Sequence, residues 1–284
     1  MFGVSTHLYI GHRLDRDHLV EIAAHGFDAV EIFAARTHFD VTDPGALVAL
    51  AEWLDDTRLT LSSFHAPIAA GYVNGVWREP LSLAATDEVR RQRAVEDTQA
   101  VLAAATVVPY ARLVLHAGAP APYGTAADNG RSSFVRSLGE LLPVAEQVGV
   151  ALAVEVIPNT LSSASALVSL IEGEDEMQGV GICMDVGHAR LLGDVVDAIE
   201  ACSGHLVTTH LHDNRGDSDD HLVPGQGVID WNAALVAFQK VGYDGPWIFE
   251  PSPSATARAT LEQLAAVRDR FVGLLRIGDE MLGG

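Results

Sequence analysis

Positive charge is scarce in this chain. Lys240 is the only lysine, and 18 lysines and arginines stand against 38 aspartates and glutamates, for a net charge of -20. Nucleic-acid binding draws much of its affinity from neutralised phosphates, and no Lys/Arg run offers such a surface, so the composition argues against nucleic acid as a partner. Cysteine is rarer still. Cys183 and Cys202 are too few for a disulfide framework. The opening MFGVSTHLYIGHRL lacks the basic start and long apolar stretch of a secretion signal. A reduced, cytoplasmic setting is the expectation. No apolar run reaches the length needed to span a bilayer, so no membrane association is expected.

What the chain has in quantity is apolar residues, 48% of 284, enough for a large core without staples. Eight apolar runs recur from end to end. They begin at Phe2, Ala29, Leu59, Ala111, Ala151, Val180, His205 and Pro246. Most are continuous rather than alternating, as in parallel strands buried on both faces. Helical spacing fills the gaps. Leu47, Leu50, Ala51 and Leu54 form one apolar face, preceded by Asp43-Pro44 as N-cap and first helical residue; Leu264, Val267, Phe271 and Leu274 form another. Strand and helix thus alternate throughout, which predicts a single α/β domain over residues 1–284, closed as a (β/α)8 TIM barrel. An open doubly wound sheet is the alternative, but no G-x-G-x-x-G follows the first strand. Two turn-rich gaps, 68–86 and 213–229, are expected as loops on the C-terminal face, where barrels build their sites.

The ends of the strands carry the chemistry. The third run ends in His65 and the fourth in His116. The fifth carries Glu155, and the sixth ends in Asp185 with His188 three residues on. The seventh carries His210, followed by Asp219 and His221, and the eighth ends in Glu250. A lone histidine at a strand end is more often a satisfied polar residue than a ligand. An unpaired carboxylate within an apolar strand is harder to dismiss, because burying it costs several kcal/mol unless a cation or strong hydrogen bonds compensate. Six consecutive strands ending this way point to a shared metal site. His7, at the end of the first run, and Glu31, in the second, are expected to face substrate or to support the ligands. Arg131 and Arg215 are the only evident cations near the mouth for a phosphate, and Arg215 joins the substrate-facing set. His212 shares the strand parity of His210 and is expected behind it. His205 lies at the wrong end of its strand, and His12, His18, His25 and His38 are expected at the surface.

With these residues in hand, the chain resembles the xylose isomerase-like superfamily over its full length, most specifically in HLHDNRGDSDDHLVPGQGVIDW. That superfamily spans sugar isomerases, ketose 3-epimerases and the endonuclease IV type of DNA-repair enzyme. The resemblance to the epimerases implies one divalent ion held by Glu155, Asp185, His210 and Glu250. Glu155 and Glu250 would exchange protons with the substrate through a metal-stabilised enediolate. The resemblance to endonuclease IV adds His65, His116, His188, Asp219 and His221 as ligands of further ions, or as substrate contacts. An oxygen-rich set with one imidazole suits Mn2+, Mg2+ or Co2+, whereas added histidines favour Zn2+. The implied activity is a metal-dependent isomerase or epimerase acting on a sugar, sugar phosphate or polyol. The alternatives are a multi-metal phosphodiester hydrolase and a non-catalytic metal- or sugar-binding barrel. The loop after the third strand offers Tyr72, Trp77 and Arg78 but little positive charge, a departure from the DNA-repair pattern. The superfamily often forms homo-oligomers.

Overall fold

A computed structural model describes residues 1–282 apart from 121, 122, 175, 176, 178 and 254. The strands are β1 (Phe2–Ser5), β2 (Ala29–Phe33), β3 (Thr60–His65), β4 (Ala69–Val73), β5 (Val76–Pro80), β6 (Arg112–Leu115), β7 (Ala151–Glu155), β8 (Gly181–Asp185), β9 (Leu206–Leu211) and β10 (Trp247–Phe249). Eight of them close into a parallel barrel in the order β1-β10-β9-β8-β7-β6-β3-β2. The helices outside it are α1 (Arg16–Ala24), α2 (Pro44–Thr57), α3 (Glu88–Ala104), α4 (Arg131–Val148), α5 (Ala164–Gly173), α6 (Val186–Leu192), α7 (Val195–Ala201), α8 (Trp231–Lys240) and α9 (Ala257–Leu282). α2 starts as its sequence predicts: the Asp43 side chain accepts from the Gly45 N–H, with Pro44 next to it. On α9, Leu264 and Phe271 are fully buried.

The two-residue period of a strand decides which side chains enter the barrel. Val114, Ala153 and Cys183 form a buried cluster inside it. Two residues further on stand His116, Glu155 and Asp185, so the same parity carries small residues low in the barrel and ligand types at its mouth. The pairing registers shift between Val30 and Glu31 and between Ile182 and Cys183. The first irregularity adjoins Glu31, and the second lies on β8 two residues before Asp185.

Three expectations are revised. The 68–86 segment is not plain loop. It contains the antiparallel hairpin β4–β5, whose turn residues Asn74 and Gly75 both have positive φ, at 53° and 78°. Asn-Gly is the strongest local signal for this turn, because both positions need the left-handed region. His7 belongs to a 3-10 turn, Thr6–Tyr9, rather than to the first strand. His38 is buried rather than at the surface, with Nδ1 2.6 Å from the His12 carbonyl.

Candidate metal centre and active site

Glu155 is the centre of the barrel mouth. Its Oε2 lies 3.0 Å from His65 Nε2 and 3.1 Å from His116 Nε2. Its Oε1 faces His188 Nδ1 at 3.3 Å and His210 Nδ1 at 3.5 Å. Burial alone would raise this carboxyl, but the surrounding imidazoles, His210 and His116 foremost, hold it well below the usual range. Glu250 lies across the cavity, 3.3 Å from His210 Nδ1. Burial pushes it up to about 7; His210 opposes this and the charge of Glu155 adds to it.

The backbone sets the remaining ligand types. Asp185 ends β8 and caps α6: its Oδ1 accepts from the His188 N–H at 2.7 Å. That cap places the His188 side chain one turn above, with Nδ1 3.2 Å from Asp185 Oδ2 and Nε2 3.1 Å from Asp219. His221 has φ 46°, an uncommon conformation for a side-chain-bearing residue, and turns its Nδ1 to the Glu250 carbonyl at 2.7 Å. Its Nε2 is thereby left facing Asp219 at 3.3 Å. Asp219 holds the His221 imidazole up to about 9 against the effect of burial.

His210 illustrates how a ring is oriented for ligation. Its Nε2 lies 3.1 Å from both oxygens of Glu31, and Glu31 in turn accepts from Ser63 Oγ at 2.8 Å. A proton on Nε2 leaves the Nδ1 lone pair aimed at Glu155, Asp185 and Glu250. A carboxylate behind a histidine is the usual support of a metal ligand. His65 follows the same logic, its Nδ1 facing the Ala66 carbonyl at 2.8 Å. The buried Nδ1 atoms of His188, His210 and His212 complete no well-formed hydrogen bond, although carboxylate oxygens stand 3.2–3.5 Å from the first two. Unpaired buried nitrogens are costly, and a divalent cation is what such a set of lone pairs and carboxylates fits.

Four groups of ligand atoms lie within 4.8 Å of one another: Glu155, Asp185, His210 and Glu250; His65, His116 and Glu155; His65, His210 and Glu250; and His188, His212, Asp219 and His221. All nine strand-end residues singled out in the sequence therefore meet in one place. His212 joins them: its Nε2 lies 3.0 Å from Asp185 Oδ2, and its ring stacks on His221 at 3.8 Å. A Cβ at position 187 would fall 2.1 Å from the His212 ring, so Gly187 is what admits it. His7 borders the cavity, with its ring 4.9 Å from that of His221. Glu31 stands behind His210. Arg215 is not among the lining residues and pairs with Asp220 at 3.4 Å; Arg131 pairs with Glu174 at 2.9 Å.

Sequence reasoning passed over Asp213. Its buried carboxylate accepts from the N–H groups of Asn214, Gly225 and Ile229 and from the Trp231 indole, at 2.8–3.2 Å. This clamps the loop that carries Asp219 and His221. The signal was an acid directly after an apolar strand, in HLHDN.

The cavity above these residues measures about 800 Å³ including its open mouth. The chain is similar to known proteins along nearly its whole length. It is 27% identical to the uncharacterised protein MJ1311 of Methanocaldococcus jannaschii over 252 residues, covering 86% of this chain and 81% of that one. It is 26% identical to L-ribulose-5-phosphate 3-epimerase UlaE of Salmonella paratyphi A over 253 residues, covering 86% and 84%. The crystal structure of a D-tagatose 3-epimerase-like protein superposes with a TM-score of 0.80 at 24% identity, covering 97% and 98%. Residues 19–269 match the sequence profile of the xylose isomerase-like TIM barrel, and the chain belongs to that family.

Proposed function

We propose that this protein is a divalent-metal-dependent isomerase or epimerase of a hydroxy-ketone or hydroxy-aldehyde of the sugar class. The reading rests above all on one observation: Glu155, Asp185, His210 and Glu250 are fully buried and bring their ligand atoms within 4.8 Å of one another. The similarity to a ribulose-phosphate epimerase supports it. A divalent ion held by these four residues would supply positive charge beside the substrate oxygens on which negative charge develops. Mn2+, Mg2+ or Co2+ suits this oxygen-rich set.

The chain's own contribution is proton traffic. Glu155, held ionised by the imidazoles around it, is fit to accept the proton of a C–H next to a carbonyl. Glu250, on the far side of the cavity beside His210, would return a proton to the substrate carbon from its own side. Apolar walls, Phe33, Trp77 and Leu81 among them, limit water at the reacting carbon. The test is solvent deuterium exchange into a panel of ketoses by the Mn2+- or Co2+-loaded protein. Exchange at the carbon beside the carbonyl supports the reading; its absence from every sugar tested contradicts it.

A second reading has its own observation. The His65–His116–Glu155 and His188–His212–Asp219–His221 groups flank the four-residue set, and Glu155 belongs to two of the groups. A carboxylate shared between ions suits phosphate-ester hydrolysis with Zn2+. Release of nitrophenol from bis-p-nitrophenyl phosphate, with no exchange into any ketose, would move the assignment there.

A further inference from the structure

The cavity over the carboxylates does not end at its rim. It continues into an outer cleft of about 1630 Å³ including open solvent, and the two share His7, Trp77, Tyr123, Asp219 and His221 in their walls. Aromatic rings run from one space to the other. Phe33 stacks on His65 at 4.2 Å, Trp77 packs on Phe33 at 5.5 Å, and Tyr72 meets Trp77 edge-on at 4.8 Å. The hairpin carrying Tyr72 and Trp77 is pinned to the barrel rim. The Tyr72 N–H donates to Thr37 Oγ1 at 2.9 Å, and a Cβ at position 71 would fall 2.8 Å from the Thr37 side chain. Tyr123, 60% exposed, lines both spaces.

The charge of these walls is equally specific. Among the described residues lining the two spaces there is no lysine or arginine, and none of the undescribed residues is basic. Arg131 and Arg215 are engaged by Glu174 and Asp220. The outer cleft instead presents hydroxyl-binding groups, His12, His18 and Glu21. Among the described lining residues a phosphate dianion would find only imidazoles, His221 foremost, to offset Glu21 and Asp219, whereas an uncharged ring would meet aromatic faces and hydrogen-bonding side chains. Aromatic surface with a few polar groups is how proteins hold rigid amphipathic rings.

Resting on the isomerase reading above, we infer that the substrate is a glycosylated ketose rather than a phosphorylated one, with its hydroxy-ketone end over Glu155 and Glu250 and its second sugar ring in the outer cleft between Trp77, Tyr72 and Tyr123. The test compares three ketoses that differ only in what O6 carries: D-fructose, D-fructose 6-phosphate and 6-O-glucosyl-fructose (isomaltulose). Affinities for the metal-loaded protein are measured by calorimetry, with solvent deuterium exchange measured alongside. Isomaltulose is expected to bind about five- to ten-fold tighter than fructose, the contribution of one stacked ring, and fructose 6-phosphate no tighter than fructose. Tyr72→Ala and Tyr123→Ala should each remove most of that advantage while leaving fructose binding within about two-fold. Tyr72→Phe, which keeps an aromatic face on the hairpin, should retain most of it. Equal binding of all three sugars, tighter binding of the phosphate, or equal losses for fructose and isomaltulose in Tyr123→Ala would overturn the inference. If isomaltulose keeps its ring-dependent advantage and no sugar exchanges deuterium, the cleft stands and the isomerase reading falls. If exchange occurs without the advantage, the reverse holds.

Discussion

At the scale of single residues, the site is built of charges that oppose the cost of their own burial. Glu250 is the carboxyl for which this opposition is weakest, and its behaviour gives a signed prediction. To ligate an ion it must lose the proton that it holds up to about 7 in the metal-free protein. Metal affinity should therefore rise with pH from about 6 to 8, and the rise should be shallower by about one proton in Glu250→Gln. Stability of the metal-free fold runs the opposite way. Between the ordinary carboxylate range and about 7 the folded chain keeps a proton that the unfolded chain has released, so raising the pH through this window costs stability, and Glu250→Gln should lose that component. Titration calorimetry and thermal melts across pH read both. In turnover, Glu250→Gln keeps an oxygen at the ligand position but carries no exchangeable acid proton, so deuterium exchange should fall by about 100-fold or more. Glu31 acts one step back. Glu31→Gln weakens the hold on the His210 ring, and metal affinity should drop by about 10- to 100-fold with the fold intact. An unchanged dissociation constant would remove Glu31 from this role.

At the scale of elements, the placement of side chains follows from strand parity and from two clamps. The barrel strands were legible because each is a continuous apolar run, and the cluster at the mouth was legible because a His, Asp or Glu stands at the same end of six of them. What escaped has physical causes. The β4–β5 hairpin has strands of five residues broken by Gly71 and Pro80, too short for the long apolar runs of the barrel, although Asn74-Gly75 signals its turn. His38 sits in a loop whose burial depends on distant packing rather than on neighbours in sequence. His212 shares parity with His210, but its approach to Asp185 depends on the missing side chain of Gly187, which only the folded chain reveals. Asp213 likewise gains its role from four donors spread over the next 18 residues. Removing that carboxylate in Asp213→Ala leaves several buried N–H groups unpaired, and the fold should lose about 3 kcal/mol or more. Denaturant unfolding measures the loss. The variant should also lose metal bound at Asp219 and His221 before metal bound at Glu155. A loss below about 0.5 kcal/mol would mean that the loop holds its shape by other means.

At the scale of the whole molecule, a closed parallel barrel gathers residues from six strands to one end and places them over a floor of small apolar side chains. The arrangement is costly without a cation, so metal should stabilise the entire fold. An ion at 100 times its dissociation constant adds about 2.7 kcal/mol, which corresponds to a rise in Tm of roughly 5 °C or more for a chain of this size. A chelator should reverse it. The surplus of acid over base, 38 against 18, also predicts weak or undetectable binding to duplex DNA at physiological salt. Cleavage at an abasic site at nanomolar protein would instead favour the multi-metal reading. The account turns on whether Glu155, Asp185, His210 and Glu250 share an ion, and anomalous diffraction from crystals grown with Mn2+ or Co2+ tests that most directly. The predicted result is a peak within about 2.0–2.6 Å of all four side chains; a peak elsewhere, with these four side chains turned from one another, would contradict it.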